Sequence, residues 1–235
     1  MTERSNTPIV VLGTPHRLRE PGKQSPDARL SECIYGRQMA VMVRQMLEER
    51  GITAVIDYEP TDLPVAMQCS NVSEERLHEL NMRVNIVNTI CRQHHGHHVV
   101  YVSIHVNAAA SDRQWHTAHG WQVCVGTRAG SQSKLLADSM AAAAMSNGLH
   151  VRQPLPTQHY WPMALHVLNH TLCPAVLTEN LFQDNMQDVD FLLSAEGRRT
   201  IARVHADGII NYLQGIFFDS RKRSSDSSIS SRAIT

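Results

Sequence analysis

Several features that would define a protein class are missing from this sequence. Lys plus Arg and Asp plus Glu each number 22, so there is no excess charge to draw the chain to nucleic acid or an anionic membrane. No nucleic-acid partner is expected. The five cysteines, Cys33, Cys69, Cys91, Cys124 and Cys173, are odd in number and form no CxxC pair, which excludes a disulfide framework and a cysteine zinc cluster. They read as reduced thiols, mostly small core hydrophobes. Long apolar runs are also lacking. The opening MTERSNTPIVVLG reaches only a short apolar stretch before Gly13, too short for a signal peptide or a membrane span. The expectation is a soluble monomer with no export signal in this chain and no membrane span.

What is present is an alternation of strand-like and helical stretches within a length that suits one domain. Pro8 to Leu12 is nearly all apolar, as in a strand covered on both faces. A polar loop from Gly13 to Leu30 follows. From Glu32 to Arg50, Met39, Met42, Val43, Met46 and Leu47 keep helical spacing, with Ser31 before them and Gly51 after. Thr53 to Tyr58 reads as a strand, Glu74 to Arg92 as a helix with the stripe Leu77, Leu80, Val84, Val87 and Cys91, and Val99 to Val106 as a strand. Further on come a strand at Gly120 to Val125, a helix at Ser133 to Met145, and short strands at Ala164 to Leu168 and Ala175 to Leu177. A last helix from near Ser194 buries Ile201, Val204, Gly208, Ile209, Tyr212 and Leu213. This pattern predicts an α/β fold: one three-layer α/β/α domain over 1–218 with a mostly parallel or mixed sheet. The segment 219–235, rich in serine and poor in apolar residues, predicts a disordered tail. No internal repeat is visible.

Three candidate metal ligands fall at element ends: His16 after the first strand, Glu32 opening the first helix, and His105 near the end of VVYVSIHVN. In parallel sheets, reacting groups gather beyond the carboxyl ends of strands. Two imidazoles and one carboxylate leave a zinc position open, as catalytic zinc sites require. Glu179, after the apolar run Pro174 to Leu177, is a fourth candidate. Each has a plainer explanation: a histidine at a strand end is commonly a structural hydrogen-bonding group, and a first-turn glutamate complements the helix dipole. The chain has 14 histidines, and the group His94, His95, His97 and His98 reads as a solvated turn around Gly96. His205 reads as a satisfied core histidine, while His159, His166 and His170 could line a pocket or pack.

Pro15-His16-Arg17, Glu32 at its helix start, Ser103-Ile104-His105-Val106-Asn107, and Thr178-Glu179-Asn180-Leu181-Phe182 with Asn185 follow one another along the chain. In that order they resemble the type 3 family of zinc-dependent N-acetylmuramoyl-L-alanine amidases. The likeness extends from the first strand to about Leu213, with Arg83, Asn88 and the stretch from Phe191 to Gly197 as lesser echoes. The chief departure is at His16, where the family's flanking glycines are Pro15 and Arg17.

The resemblance implies a phosphorylase/hydrolase-like domain, Zn2+ held by His16, Glu32 and His105, and Glu179 as general acid/base. The implied reaction is hydrolysis of the amide between N-acetylmuramic acid and L-alanine in peptidoglycan, at the bacterial cell wall. Export would be either as a phage-type lysin or through a leader missing from this chain. Two other readings stay open: a zinc carboxypeptidase-like hydrolase of another peptide, and a non-catalytic peptidoglycan-binding or regulatory protein. Asn107 and Arg83 could orient site groups or serve as buried structural hydrogen-bonding groups.

Overall fold

The apolar runs form the central sheet. In this computed structural model, which describes residues 7–94 and 99–230 with side chains to residue 216, the strands are β1 (Ile9–Gly13), β2 (Thr53–Ile56), β3 (Val99–Asn107), β4 (Gln122–Gly126), β5 (Tyr160–Met163) and β6 (Ala175–Phe182). They form one sheet in the order β2-β1-β3-β6-β4-β5. All neighbouring pairs are parallel except β4 with β6. The sheet is therefore mixed.

The helices are α1 (Glu32–Glu48), α2 (Val72–Gln93), α3 (Ser131–Ser146), α4 (His166–His170), α5 (Met186–Leu193) and α6 (Ala195–Ser230). Alternation along the strands divides the core in two. Val10, Leu12, Val100, Val102, Ile104 and Val176 face α1, α3 and α6, where Met39, Val43, Leu136, Met140, Ile201 and Ile209 are buried. Val11, Val99, Tyr101, Ala175 and Leu177 face the other way, against Val84, Val87 and Cys91 of α2 and Val167 and Leu168 of α4. This is the expected α/β/α layering.

Four local expectations change. Leu77 is 47% exposed, because α2 buries Glu79, Arg83 and Asn88 alongside Val84, Val87 and Cys91, turning its stripe towards a polar network. Ala164 to Leu168 is not a strand: β5 lies upstream of it and α4 starts at His166. β6 runs on to Phe182, so Glu179 lies inside a strand and not beyond its end. A separate helix, α5, precedes α6, with Asn185 accepting hydrogen bonds from the backbone of Gln187 and Asp188 as its N-cap. Ser31 does occupy the N-cap position of α1, but without a side-chain capping bond.

The backbone of α6 continues past Phe218 to Ser230, and residues 231–235 of the expected tail lie outside the described residues. His95, His97 and His98 of the expected polar turn also lie outside them. Among the described residues no helix is long and apolar enough to cross a membrane. Four of the cysteines are buried free thiols and Cys69 is exposed. His205 is fully buried, with Nδ1 2.7 Å from the Ile201 carbonyl and Nε2 2.8 Å from Thr178 Oγ1. It is a satisfied core histidine joining α6 to β6.

Candidate active site

Parallel β1 and β3 end side by side, Gly13 opposite Ser103, which brings the loop after β1 to the end of β3. His16 is in that loop with φ of +34°, a left-handed conformation uncommon outside glycine. Its two neighbours fix the turn. Pro15 packs so tightly on α1 that a Cβ at Gly36 would lie 2.3 Å from Pro15 Cδ. Arg17 is buried and paired with Glu20, with Glu75 at 2.6 Å and with Glu79 at 3.8 Å. The bulk and charge that replace glycine at Arg17 are thus accommodated by an acidic pocket, and Arg37 Nη1 donates to the Pro15 and His16 carbonyls at 2.7 and 3.1 Å.

Glu32 reaches the same point from the first turn of α1. Its side chain is 1% exposed and its Oε1 accepts from the Val106 amide at 3.2 Å, tying the helix start to the end of β3. That oxygen also lies 3.0 Å from His105 Nδ1 and 3.5 Å from His16 Nε2. One ligand atom from each of His16, Glu32 and His105 falls within 4.8 Å of the others.

The donor set fits a divalent metal of the zinc type. Among the described residues, buried Glu32 Oε2 has no hydrogen-bond partner, and Lys23 Nζ lies 3.6 Å from it. An orphaned buried carboxylate oxygen is costly unless a cation or donor meets it. Burial alone would raise the Glu32 carboxyl, but His16, the His105 hydrogen bond and Lys23 outweigh it and hold the group well below its usual range. Burial lowers His105 to about 4 against the opposing pull of Glu32, so its imidazole is neutral at pH 7, the form that ligates metal.

Glu179 is level with His105 across the β3–β6 pairing, and equivalent positions on neighbouring parallel strands share a face. Its Oε2 is buried, without a hydrogen-bond partner among the described residues. Burial, then the charge of Glu32, push this carboxyl up to about 8, with Lys23 opposing. Glu32 and Glu179 are therefore pushed in opposite directions in proton affinity within one small site.

A cleft of about 390 Å³ opens from His16 and His105, lined by apolar Leu80, Leu165 and Val167 and by Lys23, Arg76 and His166. Its far wall includes Ala108, Ala110 and Ser111, a turn fixed by Ala109 and Ala110 amides donating to buried Asp184. Lys23, Arg76 and Asp184 carried no recognisable sequence signal, since each is placed by contacts distant in the chain. Arg83 sits in the polar floor, its guanidinium paired with Asp57 at 2.9 Å and Glu79 at 3.0 Å. Asn107 accepts from the Ala108 amide at 2.9 Å. His170 stacks on His166 with ring centroids 4.2 Å apart, and His159 lies near Asp138 at 3.5 Å.

Comparison with known proteins points the same way. The family profile described as N-acetylmuramoyl-L-alanine amidase matches residues 10–211. An endolysin of Bacillus phage SPP1 is 31% identical over 114 residues, 48% of this chain and 40% of that protein. The N-acetylmuramoyl-L-alanine amidase CwlM of Bacillus licheniformis is 50% identical over 44 residues, 19% of this chain and 17% of its own. The chain thus spans less than half the length of these relatives. Among solved structures, the N-acetylmuramoyl-L-alanine amidase of Clostridium difficile 630 aligns with a TM-score of 0.72 at 20% identity, covering 89% of this chain and 98% of that one. The catalytic domain of CwlV from Bacillus (Paenibacillus) polymyxa var. colistinus aligns at 0.68 and 23% identity, covering 88% and 99%. At these identities the likeness is one of fold.

Proposed function

The chain belongs to the N-acetylmuramoyl-L-alanine amidase family, and from that membership we propose that it hydrolyses the amide joining the lactyl group of N-acetylmuramic acid to L-alanine in peptidoglycan. The observation that carries this reading is the meeting of His16, Glu32 and His105 at the strand ends, with Glu179 level with His105 on the same face. Zinc is the ion we assign to the three ligands. When bound, it would supply Lewis acidity that polarises a carbonyl and lowers the pKa of water towards about 7.

The rest of the chemistry belongs to the chain. Glu179 takes a proton from the attacking water and returns it to the leaving amine. A carboxyl with a pKa near the working pH can do both. Its elevation owes part to the Glu32 charge, so Glu179 would move back towards ionisation, and towards acting as a base, were that charge neutralised. Glu32, held well below the usual carboxylate range, stays anionic throughout. The cleft beside the ligands is of a size that suits a small ligand or peptide segment, and we assign it to the stem peptide. Similarity to an endolysin and to an N-acetylmuramoyl-L-alanine amidase supports action at the bacterial cell wall.

The role assignment is tested by substitution. Glu179→Gln should keep zinc and lose hydrolysis by about 10²- to 10⁴-fold, whereas His105→Ala should lose both. Zinc content of the purified variants and release of dye from labelled peptidoglycan measure the two effects. Full activity in Glu179→Gln would remove Glu179 from the mechanism.

A further inference from the structure

His105 is held from both sides. Its Nδ1 faces Glu32 Oε1 at 3.0 Å and its Nε2 lies 3.1 Å from Ser103 Oγ. Ser103 Oγ in turn faces the Tyr101 hydroxyl, one step back along the same face of β3. The Tyr101 hydroxyl donates to Asp57 Oδ2 at 3.1 Å. Asp57 Oδ1 accepts from the Thr14 amide at 2.9 Å and from Arg83 at 2.9 Å. A Cβ at Gly13 would lie 2.4 Å from Tyr101 Oη and 2.8 Å from Ser103 Oγ, so glycine at the end of β1 leaves the space these two hydroxyls fill. Tyr101, Ser103 and Asp57 are all buried.

Direction follows from the ends of this chain. A carboxylate can only accept, so the Tyr101 O–H points at Asp57 and the Tyr101 oxygen is left to accept from Ser103. The Ser103 hydroxyl has one proton and two neighbours. Without metal, Glu32 draws the imidazole proton to Nδ1, and Ser103 donates to Nε2. A ligating nitrogen must be bare, however, so with Nδ1 turned to the ligand cluster the proton has to sit on Nε2. Ser103 can then accept from Nε2 and donate its own O–H to the Tyr101 oxygen.

Building on the reading of His105 as a ligand, we propose that Ser103 and Tyr101 are positioning residues for the metal. The hydrogen bonds running from His105 Nε2 to Ser103, Tyr101 and Asp57, fixed at the far end by Arg83, favour the imidazole form whose Nδ1 is bare towards Glu32. Tyr101 does not line the cleft, and Ser103, which borders it, acts on the metal through His105. A role limited to packing would leave metal affinity and the position of the imidazole proton unchanged.

Zinc affinity, measured by competition with a chromophoric chelator and without peptidoglycan, separates the two roles. Ser103→Ala should bind zinc about 10- to 100-fold more weakly. Tyr101→Phe should weaken binding in the same direction by a smaller factor, and Ser103→Thr, which keeps the hydroxyl, should restore it. Side-chain ¹⁵N spectra of the unaltered, zinc-loaded protein should show His105 protonated on Nε2. Because ligation through Nδ1 requires that protonation, this spectrum tests the premise of the proposal even if a variant fails to fold. Wild-type affinity in both Ser103→Ala and Tyr101→Phe, or a zinc-loaded His105 protonated on Nδ1, would overturn the proposal. Undiminished zinc binding in His105→Ala would instead refute the ligand assignment beneath it.

Discussion

Glu179 illustrates how a single position can be chemically useful and structurally costly. Its carboxyl is raised to about 8 by burial and by Glu32, against a usual value near 4.3. With a folded pKa above the unfolded one, stability is fully present at low pH and is lost as pH rises towards 8, because the unfolded chain gives up the proton more readily. Glutamine mimics the protonated form. In chelator, Glu179→Gln should therefore match the unaltered protein in urea unfolding at pH 4 and exceed it increasingly up to pH 8. An unchanged difference across that range would show that Glu179 is not raised. The site was partly legible at this scale: the neighbours of His105 and Glu179 form recognisable strings. Arg17 was not, since its ion pairs come from Glu75 and Glu79 far along the chain.

Among elements, the packing of α1 against the loop after β1 shapes the His16 turn. A Cβ at Gly36 would meet the Pro15 ring at 2.3 Å and the Ile104 carbonyl at 2.9 Å, contacts that require backbone movement. Gly36→Ala should cost about 1 to 3 kcal/mol in chemical unfolding and also weaken zinc binding by displacing the His16 turn; unaltered zinc affinity would separate the helix packing from the site. The α6–β6 contact gives a pH effect of different origin. Burial lowers His205 to about 4, so as pH falls from about 6.5 to about 4 the unfolded chain takes up a proton that the folded one refuses. Stability should drop by up to about 3 kcal/mol across that window. His205→Asn should lose less of its stability between pH 7 and pH 4, measured in chelator so that the metal site contributes equally to both proteins; identical slopes would contradict the assignment. Helical spacing revealed α1 and the buried stripe of α6 because the core decides both. It misled at Ala164 to Leu168, where four or five apolar residues suit either state, and it missed α5, whose identity depends on the cap at Asn185.

Across the whole molecule, the strand order places β1, β3 and β6 side by side, which is why residues from opposite ends of the chain share one site. Alternation of strands and helices was enough to infer three layers and a sheet with parallel neighbours. The antiparallel β4–β6 pairing and the continuation of β6 through Glu179 were not legible, because register between distant strands is set by packing on both faces. The same register puts Glu179 level with His105, and the proposed reaction depends on that placement. Mass spectrometry of peptidoglycan digested by the purified, zinc-loaded protein tests the reaction most directly. The predicted products are stem peptides with a free L-alanine amino terminus and glycan strands with a free lactyl carboxylate, both absent when Glu179→Gln is used. Cleavage within the stem peptide, with the lactyl amide intact, would contradict it.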